Sequence, residues 1–514
     1  MNGAEGLVRT LLAGDVTVCF SNPGTSEIHI VAALDEIRAM RCVLGLFEGV
    51  VTGAADGYAR MADKPACTLL HLGPGLANGL ANLHNANRAQ VPIVNIVGQH
   101  AIEHLKYNTP LTSDIEAIAR PYSKWLRTSS ASPELGKDAA AAVLAARTAP
   151  GQIATLIVPA DVAWNQGGSV STVADPPKPP LPDAEKVEQA AQLLRLGLRT
   201  AMLLSGNALY GKGLLSAGRI AAATGCKLLA PYPITRLQRG AGLPSVERVQ
   251  YVLEPAIEQL KEFRQLILVG AQAPVAYFAY PGKSSVFTSP ACQIHTLASP
   301  GEDYIGALDA VAAALQLGGD AVRAGNAERP SMPSGEITLP GLAAVIGALL
   351  PENTIVVDES MTSGRGLMAA TKGAPPHDWL TNTGGSIGIA LPLAVGAAVA
   401  CPDRRVLCLS ADGSGMYTPQ ALWTMAREGL NVTTVVFANR SYAVLKREFS
   451  CLGVGDPGER ANAMFEIGRP DLDWTLLAKG MGVPGIRVTS LDAFGKALRA
   501  GLEGEGPTLI EVPL

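Results

Sequence analysis

Residues 406–442 read VLCLSADGSGMYTPQALWTMAREGLNVTTVVFANRSY. Two apolar runs, VLCL at 406–409 and VTTVVF at 432–437, each end in a short polar loop, and ALWTMA between them has helical spacing. Near-continuous apolar strands joined by a helix predict a parallel unit buried on both faces. Ligands in such sheets sit beyond the carboxyl ends of the strands. Asp412 and Asn439, 27 residues apart, therefore stand at two strand ends. A carboxylate, an amide oxygen and a nearby backbone carbonyl suit a hard cation such as Mg²⁺, which completes its shell with phosphate oxygens. The plainer alternative is an Asp-Gly turn and an Asn cap.

The same grammar recurs outward from this stretch. VTVCF at 16–20 precedes SNPG, CTLL at 67–70 precedes HLGPG, PIVNIV at 92–97 precedes GQH, and TIVV at 354–357 precedes DES. Ala-rich segments of helical period alternate with them. The expected fold class is α/β, with three doubly wound parallel-sheet domains, since roughly 150 residues per domain divides 514 residues into about three. Pro-rich stretches at 176–182 and 325–340 read as extended linkers, leaving domains at 1–175, 183–324 and 341–514. The outer two look alike. Gly53-Ala-Ala leads through Lys64-Pro65 into a strand ending at His71, and Gly396-Ala-Ala leads through Pro402-Asp403 into one ending at Asp412. The middle segment, with strands expected at 201–204, 227–229, 266–269 and 293–297, lacks a G-x-G-x-x-G fingerprint and so does not support a dinucleotide.

Composition narrows the function classes. Apolar residues make up 48% and charged residues 17%, so large buried cores are possible, and the net charge of −4 with no Lys/Arg-rich run argues against nucleic acid or an anionic membrane. The eight cysteines are scattered without a C-x-x-C pair, as expected of free buried thiols in a reducing cytosol. The first 15 residues carry an early acid and no signal-peptide core, and no run approaches about 18 apolar residues. The expectation is a cytoplasmic protein without a membrane span.

The 406–442 stretch resembles the signature of thiamine-diphosphate enzymes, a Gly-Asp-Gly followed about two dozen residues later by Asn-Asn. Ala411 replaces the first Gly and Ala438 the first Asn, while Asp412 and Asn439 match. The resemblance continues through FSNPGT at 20–25, FEG at 47–49, ADGYA at 55–59, LHLGPG at 70–75 and GGSIG at 384–388, in the family's order. It is closest to benzoylformate decarboxylase and the acetolactate synthase group.

The resemblance implies thiamine diphosphate and Mg²⁺ as cofactors and three domains in the order pyrimidine-binding, central, diphosphate-binding. Asp412, Asn439 and the main-chain carbonyl of Ser441 would hold the metal. Gly413, Ser414, Ser360, Thr362 and Ser363 would receive the diphosphate, the 359–363 segment being expected to open a helix whose N–H groups suit phosphate. Gly385 would accept from the exocyclic amine and Ile387 would wedge beneath the cofactor. Glu48, among apolar and small neighbours where an unpaired carboxylate is costly, would hydrogen-bond the aminopyrimidine ring. The cofactor is the electron sink and the protein supplies orientation and electrostatics. His71 would serve proton transfer, and Thr25 would meet the substrate carboxylate. Leu111, Phe278 and Leu445 would line the substrate end. Core packing, caps and turns are the plainer readings of these residues. Phe278 falls roughly where benzoylformate decarboxylase has a middle-domain histidine, and Leu445 where pyruvate decarboxylases have an acid.

The implied reaction is non-oxidative decarboxylation of a 2-oxo acid through a cofactor-bound enamine. The alternative is an acetolactate-synthase-like carboligase that joins the enamine to a second carbonyl compound; further off lies a flavin-dependent oxidase of the same fold. The cofactor would lie between the first domain of one subunit and the third of another, so a homodimer is the minimum unit and a homotetramer is expected. His100-Ala-Ile-Glu-His104 has the spacing of inverted zinc proteases but follows a strand and lacks a third ligand.

Overall fold

The computed structural model describes residues 1–319 and 327–514, so the start of the second linker at 325–326 and the end of the 183–324 segment lie outside it. Three sheets dominate. The first holds β1 (Val18–Asn22), β2 (Arg41–Leu44), β3 (Ala66–Leu70), β4 (Ile93–Gln99), β5 (Trp125–Thr128) and β6 (Ile153–Pro159), all parallel, in the order β2-β1-β3-β4-β6-β5. The second holds β7 (Thr200–Leu204), β8 (Lys227–Ala230), β10 (Glu247–Arg248), β11 (Gln265–Val269) and β12 (Gln293–Ala298), in the order β10-β8-β7-β11-β12. The third holds β13 (Ile355–Glu359), β14 (His377–Thr381), β15 (Val406–Ala411), β16 (Val432–Ala438), β17 (Gly485–Arg487) and β18 (Thr508–Pro513). Its order, β17-β18-β16-β15-β13-β14, is that of the first sheet read from the other edge. The likeness between Gly53-Ala-Ala and Gly396-Ala-Ala is thus part of a shared topology.

The apolar runs work because successive side chains leave a strand on opposite faces. In β3, Ala66 and Leu70 enter one core while Cys67 and Leu69 enter another; in β15, Val406 and Cys408 part in the same way from Leu407 and Leu409. One core is common to the first and third sheets. It is filled by two helices, Glu48–Ala62 and Ala390–Ala400, which cross at small residues. A Cβ on Gly57 would fall 2.1 Å from the Leu393 carbonyl oxygen, and one on Gly396 1.9 Å from that of Ala54. Both glycines are required by this close approach.

Three sequence expectations are adjusted. Leu237–Arg239 forms a further strand, β9, which pairs antiparallel with β14, so the middle segment lends an edge strand to the third sheet. Gly73-Pro-Gly75 is not a turn before a loop but the first turn of the helix Leu72–Ala89, where proline's missing N–H costs nothing. The 359–363 segment does not open a long helix: Met361–Gly364 is a single 3-10 turn, and Gly366, at φ 94°, follows it. The first linker, 176–182, forms neither helix nor strand. All eight cysteines are free and only four of them are buried. No helix among the described residues is long and apolar enough to cross a membrane.

Candidate active site

β13, β15 and β16 are neighbours, and the loops at their carboxyl ends converge. Asp412 begins a one-turn helix after β15 and is 2% exposed. Its Oδ1 accepts from the Gly413 N–H at 2.9 Å and its Oδ2 from the Arg440 N–H at 2.7 Å. The second bond depends on Arg440 adopting φ 54°, which turns the chain back after β16. Asn439 Oδ1 accepts from the Ser441 N–H at 3.0 Å, an Asx turn, and its amide donates to Thr362 Oγ at 3.5 Å. Thr362, Ser363, Asn439 and Ala443 line a cavity of about 450 Å³ together with Arg365. Ser360 is buried, and its hydroxyl donates to Asp358 rather than into the cavity.

This arrangement suits a cation and a diphosphate. Burial pushes the Asp412 carboxyl up against the pull of the Arg440 and Gly413 N–H groups. The Arg440 guanidinium does not pair with it but is engaged by Asp471 at 2.7 Å. Ser441 Oγ is buried without a hydrogen-bond partner. The donor set is all oxygen, the preference of Mg²⁺. Gly413 and Ser414 are buried, and the Tyr442 ring would stand 2.7 Å from a Cβ on Gly413.

The 382–389 turn stands beside this cluster and is held from behind. Glu359, at the end of β13, is buried and accepts from the Gly388 and Ala390 N–H groups and from the Asn382 amide. Burial lifts its carboxyl to about 7 although all these donors oppose the shift. Asn85, on the helix Leu72–Ala89, donates to the Ser386 carbonyl at 2.8 Å and accepts from the Ser386 N–H at 3.2 Å. Gly385 is exposed at φ 83°, a conformation that favours glycine, and Ile387 is half-buried.

A second group gathers at the carboxyl ends of β1 and β3. Glu48 starts the helix Glu48–Ala62, is 7% exposed, and accepts from Asn78 at 3.0 Å. No ion pair among the described residues engages it. His71 caps the helix Leu72–Ala89, and its Nδ1 lies 2.7 Å from Glu27 Oε2. Sequence reasoning passed over Glu27, which is fully buried. Its one signal was the Gly24-to-Glu27 spacing of a capping box, in which the Gly24 N–H donates to Glu27 at 2.7 Å. Thr25 is exposed at the same turn, and it is Ser26 whose hydroxyl reaches towards His71, at 3.4 Å.

The expected wall residues are not gathered into one surface within the chain. Leu111, Phe278 and Leu445 are 41%, 57% and 46% exposed. Leu445 lies on the helix Ala443–Cys451 and Phe278 on the loop after β11. These two elements are tied by Tyr280, which donates to Glu448 at 2.7 Å, while Arg447 stacks 5.4 Å from the ring centre of Tyr251, just before the helix Leu253–Leu260. The remaining histidines have structural partners. His84 meets the Gly384 carbonyl, His295 that of Lys186, and buried His377 that of Pro375, its pKa depressed to about 4 by burial and by Arg239. His100 and His104 stand 5.7 Å apart between ring centres, and no group of three metal-ligating side chains occurs among the described residues.

Paired sheets of one topology, with the buried Asp412 and the Asn439 amide at strand ends of one and a buried glutamate and a histidine on the other, are the arrangement of a thiamine-diphosphate enzyme. The chain belongs to the thiamine pyrophosphate enzymes: residues 1–118 match the family's N-terminal TPP binding domain and residues 363–512 its C-terminal TPP binding domain. It is 52% identical over 515 residues to IlvX of Mycobacterium tuberculosis, provisionally named an acetolactate synthase large subunit, with 100% of this chain and 99% of that one aligned. It is 27% identical over 524 residues to the benzoylformate decarboxylase of Pseudomonas aeruginosa, covering 97% and 96% of the two chains. Among solved structures, the thiamine diphosphate-dependent 4-hydroxybenzoylformate decarboxylase of Rhodococcus jostii superposes with a TM-score of 0.86 at 21% identity, covering 100% of this chain and 99% of that one. Decarboxylase and carboligase activities both fit this family membership.

Proposed function

We propose that the chain decarboxylates a 2-oxo acid bearing an apolar side chain and releases the aldehyde. The observation that carries this reading is His71 beside the buried Glu27, a proton-handling group at the carboxyl end of β3. Thiamine diphosphate, when bound, supplies an acidic carbon that adds to the 2-oxo group and an electron sink that lets CO₂ leave. Asp412, Asn439 and the Ser441 carbonyl hold Mg²⁺, while Thr362, Ser363, Gly413 and Ser414 receive the diphosphate. Ile387 would pack against the cofactor, and the Gly385 carbonyl would accept from its amine. Glu48 shares a proton with the aminopyrimidine ring, which its burial and its lack of a basic partner suit. His71 delivers the proton that converts the decarboxylated fragment into an aldehyde, and Thr25 meets the substrate carboxylate. Leu111, Phe278 and Leu445 offer apolar contact, each buried methylene adding roughly 0.8 kcal/mol.

Glu48 and His71 share no hydrogen bond with Asp412 or Asn439 among the described residues. The match of both ends of the chain to the family's TPP binding domains favours a site shared between the first domain of one copy and the third of another. The proposed unit is a homodimer or a pair of them, with domains at 1–175, 183–324 and 341–514, working in the cytoplasm. The relative at 52% identity favours a second reading, in which an added carbonyl compound intercepts the fragment before His71 protonates it. Mass-spectrometric analysis of products from a panel of 2-oxo acids, with and without an acceptor aldehyde, separates the two. Branched and aromatic 2-oxo acids should give aldehydes and outcompete 2-oxoglutarate in kcat/KM. Efficient turnover of dicarboxylic 2-oxo acids alone would overturn the substrate reading, and hydroxyketones without aldehyde would establish the second.

A further inference from the structure

A histidine that transfers one proton in each turnover must present a defined nitrogen to the substrate, and the surroundings of His71 dictate which. Glu27 is fully buried, and three donors converge on its carboxylate. The Gly24 N–H reaches Oε2 at 2.7 Å, the Ser26 hydroxyl reaches Oε1 at 2.7 Å, and His71 Nδ1 stands 2.7 Å from Oε2. With both oxygens already accepting, Oε2 from the Gly24 N–H and Oε1 from the Ser26 hydroxyl, the carboxylate faces His71 as an acceptor and Nδ1 as the donor. Nε2 is then the nitrogen that carries the lone pair in the neutral ring and the exchangeable proton in the cation.

Two glycines keep the pair in register. A Cβ on Gly98 would fall 1.6 Å from Glu27 Oε1, and one on Gly24 would fall 2.2 Å from His71 Nδ1. The carboxylate therefore occupies space that any other residue at 98 would fill, and the imidazole lies flat against the backbone at 24. The histidine side chain is 23% exposed while Glu27 is not exposed at all, so the pair meets solvent only through the ring.

We infer that Glu27 is a positioning residue for His71, fixing its Nδ1–H tautomer and ring orientation so that Nε2 alone exchanges protons with the substrate. The inference rests on the assignment of proton delivery to His71. The buried carboxylate of a Ser-His-Asp triad acts on its histidine by the same logic. Glu27 touches neither substrate nor cofactor in this scheme.

The test separates the two claims. Acylation by diethyl pyrocarbonate requires the lone pair of an unprotonated imidazole nitrogen, and the extent at His71 is read by peptide mass spectrometry on the cofactor-free protein. At about pH 8.5, where imidazoles are largely unprotonated, Glu27→Gln should slow acylation at His71 several-fold while leaving that at exposed His29 unchanged. An unchanged rate at His71 overturns the inference, whatever happens to turnover. In the holoenzyme, Glu27→Gln should lower kcat for aldehyde release by about 100-fold or more with KM and cofactor affinity retained. Added to His71→Ala, it should cost nothing further, because a residue acting only through His71 has nothing left to position. Multiplying losses in the double variant would give Glu27 a separate role and overturn the inference. Full activity of His71→Ala would remove His71 from proton delivery, and the acylation rate would still decide whether Glu27 sets its tautomer. Glu27→Asp, which keeps the charge, should retain more of the acylation rate than Glu27→Gln does; if Glu27→Gln fails to fold, a wild-type rate in Glu27→Asp despite the shortened reach overturns the inference.

Discussion

Replacing Gly396 by alanine should both weaken the fold and loosen the site, and the size of the effect follows from one contact. The added Cβ would stand 1.9 Å from the Ala54 carbonyl oxygen and 2.5 Å from the Tyr58 nitrogen, both backbone atoms of the facing helix. A relaxed carbon–oxygen contact is about 3.3 Å, so the helices Glu48–Ala62 and Ala390–Ala400 must part by about 1.4 Å. Neither backbone can rotate away as a side chain would. Overpacking of this kind costs about 3 kcal/mol, against a gain of about 1 kcal/mol from replacing glycine inside a helix. A net loss near 2 kcal/mol lowers Tm by roughly 4–8 °C for a domain of this size. Because Glu48 starts one helix and the 382–389 turn leads into the other, the displacement also reaches both halves of the site. Scanning calorimetry of the cofactor-free protein gives the first quantity, and fluorescence titration with thiamine diphosphate and Mg²⁺ gives the second. Gly480→Ala is the control, since a Cβ there meets nothing within 4 Å. A Gly396→Ala melt and titration indistinguishable from those of Gly480→Ala would refute the reasoning.

Asp412→Ala should abolish binding of thiamine diphosphate with little change in the melt of the cofactor-free protein, and tight metal-independent binding by this variant would contradict the metal assignment. Glu359→Gln should flatten the dependence of stability on pH. The Glu359 carboxyl lies at about 7 in the folded chain against an ordinary 4.5, so its contribution is fully present below pH 4.5 and is lost as pH rises towards 7. The loss amounts to about 3 kcal/mol, so the variant should gain on wild type between pH 5 and 7.5, and parallel melting profiles across that interval would rule the buried carboxyl out as its source.

Much of this fold was legible because its signals are local. Apolar runs ending in polar loops marked the strands of the first and third sheets, and the loops carried Asp412, Asn439 and His71 to the strand ends where ligands bind. What escaped depends on contacts that sequence spacing does not encode. Glu27 lies 44 residues from His71 and is recognisable only once β1 and β3 are known to be adjacent. The strand Leu237–Arg239 is too short to show periodicity and exists because β14 offers it a free edge. Ser360 sits in the expected phosphate loop, yet Asp358 takes its hydroxyl. Leu111, Phe278 and Leu445 belong to separate elements, and their exposure within one chain shows why spacing alone could not assemble them.

The shared topology of the outer sheets explains how the site divides its labour. In each unit the first strand leads into a 3-10 turn, Thr25–Glu27 after β1 and Met361–Gly364 after β13. The second strand leads into the helix at the common core, which starts at Glu48 in one unit and follows Gly385 and Ile387 in the other. The third strand ends at His71 in the first unit and at Asp412 in the third. Three equivalent positions thus carry two kinds of side chain: Glu27, Glu48 and His71 are titratable groups, to which the proposed function assigns proton handling, while Thr362, Ile387 and Asp412 are those it assigns to phosphate, ring and metal. The reason lies in the scaffold. Strand ends of a parallel sheet are places where side chains can change without disturbing the core, and a duplicated sheet supplies each of them twice. One copy could be given to anchoring a charged cofactor and the other to proton transfer. The crossing at Gly57 and Gly396 keeps the two copies in fixed relation, which is why a single methyl group there should be felt at both.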